Sequence, residues 1–447
     1  MAQTAVHRPR SPAQVIVLAF LAVTAVGTTL LALPAATAGP GRASLHEALF
    51  TATAAACVTG HLIVDTATYW SPFGQVVILA LLQIGGFGIM TLASLLGILV
   101  SRRMGLRTRI TTAAETRSIG IGDVRRVLAS VVRITLAFEA VTAIVLTARF
   151  YFGYHEPAGR ALWLGSFHAV SAFNNAGIAL FSDNLVGFVD DPWICLPIAF
   201  AVIAGGLGFP VLLQLRRDLG HPRFWTLNTR LVLAATPVLL ISGTAFITAM
   251  EWNNEATLGK LDPAGRLLAG FFLSVMTRTA GFNSVDIGAL DQATWLGMDV
   301  LMFIGGGPAG TAGGLKVTTF AVLFFIIYTE VRGEGAVNAL GKRLPRSVHR
   351  QAITVALIAV AVVVVATLAL LIMTEFSLDE ILFEVIAAFS TAGLSTGITP
   401  DLPTAGQLIL VVLMFLGRVG PVTLASALAL RHTTRLYELP KERPIIG

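Results

Sequence analysis

Residues 271–283 read FFLSVMTRTAGFN. A short apolar stretch runs into Thr279-Ala280-Gly281 and stops there. It is too short to cross a bilayer, whose hydrocarbon core of about 30 Å needs about 20 apolar residues. Long apolar runs flank it, and the same arrangement occurs three more times. Aligned on Gly60, Gly177, Gly281 and Gly393, each short segment has a phenylalanine ten residues earlier: Phe50, Phe167, Phe271 and Phe383. A second landmark begins 24–28 residues after each glycine: Gly85-Gly86, Gly205-Gly206, Gly305-Gly306 and Gly417-Arg418. One such match would be chance in a chain with 43 glycines, but four in register mark an internal repeat.

The rest of the chain agrees. Hydrophobic residues make up 55% of the 447, charged residues 13%, and the mean hydropathy is +0.78. A soluble domain carries about 25% charge. Eight long apolar runs lie near 13–33, 73–100, 127–150, 192–215, 228–250, 294–328, 351–373 and 405–430. The short segments, near 46–60, 163–177, 267–281 and 379–393, fall between the members of each pair. Ala36-Thr37-Ala38 resembles a signal-peptidase site, but the run before it is long enough to be a span rather than a leader core.

Of the 31 Lys and Arg, 23 fall at the termini or in the loops after the second, fourth and sixth runs. Examples are Arg102, Arg103, Arg107, Arg109, Arg216, Arg217, Lys342, Arg343, Arg431 and Arg435. Only Arg42, Arg149, Arg160, Lys260 and Arg266 lie in the opposite loops. The positive-inside rule therefore puts both termini in the cytoplasm of a multi-pass plasma-membrane protein. Most acidic residues lie on the outer side, where they either draw cations to an entrance or keep the loops wet. The net charge of +6 is spread over short loops and gives no reason to expect nucleic acid. Cys57 and Cys195, the only cysteines, suggest neither a disulfide framework nor a metal site.

The expected fold is an all-α membrane protein: eight transmembrane helices in four helix–pore-loop–helix repeats with pseudo-fourfold symmetry. The expected repeats are 1–110, 111–220, 221–335 with a broken second helix, and 336–447 with a short cytoplasmic tail. A helix of about ten residues is about 15 Å long and reaches halfway through the membrane. Its carbonyl end carries a partial negative charge that favours a cation. Glycine then lets successive carbonyls turn toward one axis. Rings of backbone carbonyls that replace an ion's hydration shell are how potassium filters work. Re-entrant helices that bind nothing are the plainer alternative. No catalytic set of His, Asp, Ser or Cys converges at membrane depth, so an enzyme is not expected.

These motifs resemble the Trk/Ktr/HKT superfamily of potassium transporters, most closely its KtrB-type membrane subunits. The strings that carry the resemblance are Ala56 to Gly60, Ser171 to Gly177, Thr277 to Asn283, Ala392 to Gly397, Gly305 to Lys316 and Gly417 to Pro421. The resemblance implies potassium uptake through a filter built from Val58, Thr59 and Gly60; Asn175, Ala176 and Gly177; Thr279, Ala280 and Gly281; and Thr391, Ala392 and Gly393. Gly60, where sodium-selective plant relatives have serine, favours potassium. His61 departs from the apolar residue expected beside the filter; it either faces the vestibule or makes conduction acid-sensitive. The resemblance also implies a homodimer and a separate cytosolic nucleotide-binding ring of the RCK type, KtrA-like. Potassium is then the substrate and sodium a candidate activator, with no cofactor. A sodium-coupled potassium symporter is the alternative, although its repeats would be inverted rather than parallel.

The run 294–328 is too long for one straight crossing, and Gly305, Gly306, Gly307, Pro308, Gly310, Thr311, Gly313, Gly314 and Lys316 interrupt it. Gly305, Gly307 and Gly310 match a dinucleotide fingerprint, but no strand–helix unit surrounds them. The better readings are an irregular loop that obstructs the path below the filter, which is also the family's gating loop, or a kinked, closely packed helix. Arg418 sits midway along the last run. A mid-membrane arginine costs roughly 2.5–3.5 kcal/mol even on the lenient insertion scale. It is expected to act as an electrostatic barrier, to pair with a carboxylate such as Glu384, or to do both. Lys316 either snorkels or lines the cavity.

Overall fold

The structure, a computed structural model, describes residues 12–103 and 124–430. Arg107, Arg109, Arg431, Arg435 and the expected boundary at 110/111 lie outside those residues.

The first unit is α1 (Pro12–Leu31), α2 (Leu45–Ala56) and α3 (Pro72–Arg103). The second is α4 (Val124–Gly153), α5 (Ala158–Phe173) and a bent pair, α6 (Pro192–Leu207) and α7 (Phe209–Asp218). The third is α8 (Leu227–Glu251), α9 (Pro263–Met276) and a split pair, α10 (Gln292–Phe303) and α11 (Val317–Val331). The fourth is α12 (Arg346–Met373), α13 (Leu378–Ser390) and α14 (Thr404–Leu430). Among the described residues, five helices are long and apolar enough to cross a membrane singly: α1, α3, α4, α8 and α12. With the bent pair, the split pair and α14, the fold is an all-α, eight-span arrangement of four like units. A two-residue hairpin, β1 (Asn338–Ala339) and β2 (Lys342–Arg343), lies in the loop between α11 and α12.

Three of the four short helices, α2, α9 and α13, start where their sequences cap them, whereas α5 starts after Pro157 with no side-chain cap. Ser44-Leu45-His46-Glu47 and Ser377-Leu378-Asp379-Glu380 are reciprocal capping boxes, each serine and glutamate satisfying the other's backbone N–H. Asp262 caps α9 ahead of Pro263. The helices end three to five residues before the aligned glycines, not at them as the spacing suggests. The landmark Phe50, Phe167 and Phe383 are fully buried; in the third unit Phe272, rather than Phe271, fills that role.

The second landmark has a packing reason. A Cβ on Gly85, Gly205 or Gly417 would fall 2.1, 2.0 or 1.7 Å from the carbonyl oxygen of Ala56, Phe173 or Phe389, respectively. The second long helix of three units therefore presses bare backbone against the carbonyl end of its own short helix, as small residues permit in membranes. In the third unit Gly305 instead meets the carbonyl of Gly313, because a loop has moved in between.

The break between α6 and α7 was not anticipated. The two helices meet at 96° around Gly208, whose φ is +91°. The signal was present in Gly208 followed by Pro210: glycine releases the helix, and proline suits the first turn of the next one.

The segment Pro34–Ala38 is tied into the first unit. Ala36 is buried, and Ala38 N–H donates to Tyr69 O at 2.9 Å.

Candidate functional site

Beyond each short helix the backbone takes the same unusual course. Val58, Asn175, Thr279 and Thr391 have φ of 54°, 58°, 68° and 54°, and Gly60, Gly177, Gly281 and Gly393 have φ of 83°, 69°, 78° and 77°. Positive φ in a non-glycine residue costs roughly 1–2 kcal/mol. It persists four times over because each helix end closes through it. Thr59, Ala176 and Ala392 N–H donate to Ala54, Ser171 and Ala387 O at 2.7, 2.8 and 2.8 Å, the longer bond of a Schellman cap. The third unit closes on Met276 O instead.

The four glycines then meet in a ring. A Cβ on Gly60 would lie 1.9 Å from Ala176 O, and one on Gly177 would lie 2.5 Å from Ala280 O. One on Gly281 would lie 2.6 Å from Ala392 O, and one on Gly393 would lie 1.9 Å from Thr59 O. Each unit touches the next, and the fourth touches the first. The four glycines and the residues just before them, Thr59, Ala176, Ala280 and Ala392, are thus brought together in one closed ring just past the carbonyl ends of the four short helices. The buried hydroxyls of Thr279 and Thr391 have no hydrogen-bond partner.

His61 does not face a vestibule. Its Nε2 lies 2.8 Å from Glu384 Oε2, with both side chains fully buried. Glu384 also accepts from Ser395 Oγ at 2.6 Å, Thr396 N–H at 2.9 Å and Thr399 Oγ1 at 2.7 Å. This carboxylate organises the loop after the fourth string and joins it to the first. It is not the partner of Arg418, because its oxygens are spent on this network.

Below the ring, residues 304–316 form an irregular loop rather than a kinked helix. Gly305 N–H donates to Leu315 O at 2.8 Å and Val317 N–H to Gly306 O at 3.0 Å, pinching the two ends together. The loop lies against the bend of the second unit: Gly307 N–H donates to Gly206 O at 2.7 Å and Thr311 N–H to Gly205 O at 3.2 Å. A Cβ on Gly313 would fall 2.0 Å from Thr391 Oγ1. Thr311 Oγ1 lies 2.8 Å from Asn175 Oδ1 and 3.2 Å from Phe173 O. Arg418, buried midway along α14, donates from Nη1 to Thr311 O. Thr311 thereby links the second string, the loop and the mid-membrane cation. Lys316 Nζ turns back to Ala312 O within the loop.

Sequence reasoning gave Arg278 no role. It is buried beside the third string, with Nη2 3.4 Å from Gly305 O. A charged residue inside a membrane segment is itself a functional signal, and it was available in Thr277-Arg278-Thr279.

A family described as "Cation transport protein" (TrkH) matches residues 3–434. The Ktr system potassium uptake protein B of Bacillus subtilis is 37% identical over 421 residues, covering 94% of this chain and 93% of that protein. Its namesake in Vibrio alginolyticus is 36% identical over 438 residues, covering 97% and 94%. The crystal structure of the potassium transporter TrkH from Vibrio parahaemolyticus superposes with a TM-score of 0.73 at 18% identity, covering 95% of this chain and 86% of that one.

Proposed function

The chain belongs to the TrkH family of cation transport proteins, and from that premise we propose that it takes up potassium through the axis between its four short helices. Members of this family are transporters, not enzymes. The observation that carries the reading is the closed ring in which each filter glycine lies against a carbonyl of the adjacent unit. Carbonyls so crowded are held in place by covalent geometry and four helix caps. They can replace an ion's water without rearranging. The unpartnered hydroxyls of Thr279 and Thr391 are further oxygen ligands at the inner end of the strings.

Ions would enter from the acidic outer side, dehydrate among residues 58–60, 175–177, 279–281 and 391–393, and then meet the loop 304–316 and Arg418. The tether from Arg418 to Thr311 favours a loop that obstructs the path, and the guanidinium adds electrostatic repulsion of a passing cation. Both termini would be cytoplasmic. The names of the Ktr relatives imply a system of several components. A cytosolic RCK-type nucleotide-binding ring at the basic loops and pairing of two copies of the chain are the partners this reading requires.

The test is rescue of a cell that lacks potassium uptake. The native chain should restore growth at low potassium, and rubidium or potassium flux should follow the electrochemical gradient without a sodium requirement. Gly60→Ser should lower the preference for potassium over sodium. Equal rescue by both ions in the native chain would sink the selectivity claim, and obligatory sodium co-transport would establish a symporter instead.

A further inference from the structure

A cavity of ≈ 20 Å³ lies between the second and third units, behind the filter and beside the loop. Its polar lining is Asn175, Thr236 and Arg278, with the backbone of Gly206 and Gly306. A space of this size exceeds the roughly 10–15 Å³ that one water needs. Two buried groups that line it have unused hydrogens: Arg278 Nε and Asn175 Nδ2 have no partner. Asn175 is oriented by Thr311, which bonds its Oδ1 and leaves the amide nitrogen turned away, 3.5 Å from where a Gly206 Cβ would stand.

Both unused groups are donors, and arginine can only donate. A water that accepted both bonds would need acceptors for its own two hydrogens. For those hydrogens the lining offers the Thr236 hydroxyl and the second lone pairs of the Gly206 and Gly306 carbonyls, which already accept from Gly307 and Val317 N–H, so acceptors are scarcer than donors there. Charge points the same way. Arg278 is only 8% exposed, and among the described residues no carboxylate pairs with it, with Arg418 or with Lys316. An unpaired buried charge is costly unless something neutralises it. We propose that this cavity is a binding site for a small monovalent anion of the halide class, held by Arg278 Nε and Asn175 Nδ2. Chloride is the abundant ion of that chemistry. The anion would neutralise Arg278 where its other arm meets Gly305 at the root of the loop, and so would tie the loop to the second and third filter strings.

The test uses the intact chain and does not involve transport, so its failure would leave the pore reading standing. Crystals grown in bromide should show an anomalous peak within hydrogen-bond distance of Arg278 Nε and Asn175 Nδ2. The purified protein should melt about 2 °C or more higher in chloride than in gluconate. Both signals should disappear in Arg278→Gln and persist in Arg278→Lys. Should Arg278→Gln fail to fold, the bromide map and the chloride-dependent melting of the native chain decide alone. No peak in the cavity, a water there in place of bromide, or melting that ignores chloride would overturn the proposal. So would a peak that survives Arg278→Gln, which would mark an adventitious ion only.

Discussion

Two levels of the molecule, the ring of glycines and the second landmark packed against the short helices beside it, treat the fourfold repeat in opposite ways. At the ring of glycines the four units are near copies. Each has positive φ at the same two positions, and each glycine lies against its neighbour's carbonyl. One level down, from Gly85-Gly86, Gly205-Gly206, Gly305-Gly306 and Gly417-Arg418 onward, three units share the glycine packing but all four then differ. The first is a continuous helix, the second bends by 96°, the third opens into a loop, and the fourth carries a buried arginine. An ion surrounded by ligands on all sides is served by equivalence. A device that permits or blocks passage needs one part that differs from the rest and can move. Symmetry is kept where the ion would be coordinated and given up where its passage would be controlled.

The same substitution at the two levels should break this contrast most sharply. Gly393→Ala puts a Cβ 1.9 Å from Thr59 O on a backbone with φ of 77°, and should abolish uptake, by about 100-fold or more given strain above ~3 kcal/mol. Gly206→Ala meets no protein atom closer than 3.5 Å and should cost far less, under about tenfold, even though its methyl narrows the cavity beside Arg278. Rubidium uptake at matched membrane expression reads both, and equal sensitivity would remove the distinction.

Next in size is Arg418→Ala. It deletes the bond to Thr311 O as well as the buried charge. A hydrogen bond from a charged donor is worth about 1.5–3 kcal/mol. Initial uptake rates should therefore rise about tenfold or more as the loop is released. An unchanged rate in a well-expressed variant would reject the tether.

His61→Leu sharpens the filter side. It removes one of the donors on Glu384 while Ser395, Thr396 and Thr399 remain. The loss should be about 1–3 kcal/mol of stability, read as a lower melting temperature, with a modest fall in potassium preference. His61→Gln, which keeps a donor, should recover part of both.

The smallest effect concerns the outer loops. Burial raises the pKa of Asp65, but hydrogen bonds from Ser182, Thr68 and the Ala67 N–H outweigh it and hold the carboxyl below its usual range. A depressed folded-state pKa means stability that is present above the unfolded value and lost as pH falls through the folded one. The native chain should therefore lose slightly more melting temperature on acidification than Asp65→Asn. Parallel acid curves would assign the seam between the first two units to other contacts.

The periodic features were legible because the fold states them four times. Repetition at fixed offsets turned individually weak glycines and phenylalanines into a strong signal, and the span count followed from apolar length. Less of the control level could be read. The loop announced itself through Pro308 and its glycines, but the bend at Gly208 was hidden inside an apolar run of ordinary length. His61 and Glu384 are 323 residues apart in the chain, and nothing local to either predicts that they meet. That an arginine midway along an apolar run is costly can be read from the sequence, yet which acceptor Arg418 finds depends on where the loop comes to rest.

By itself the sequence determined the membrane, the eight crossings, the four short helices and the glycines at their ends, since apolar length, caps and backbone freedom are local properties. Only the tertiary structure decided which carbonyl each glycine faces, that Thr311 joins loop, filter and Arg418, and that Arg278 and Asn175 share a cavity. Those outcomes depend on how separate units close into a ring. A pairing across hundreds of residues is set by that closure and by the buried groups it leaves in need of partners.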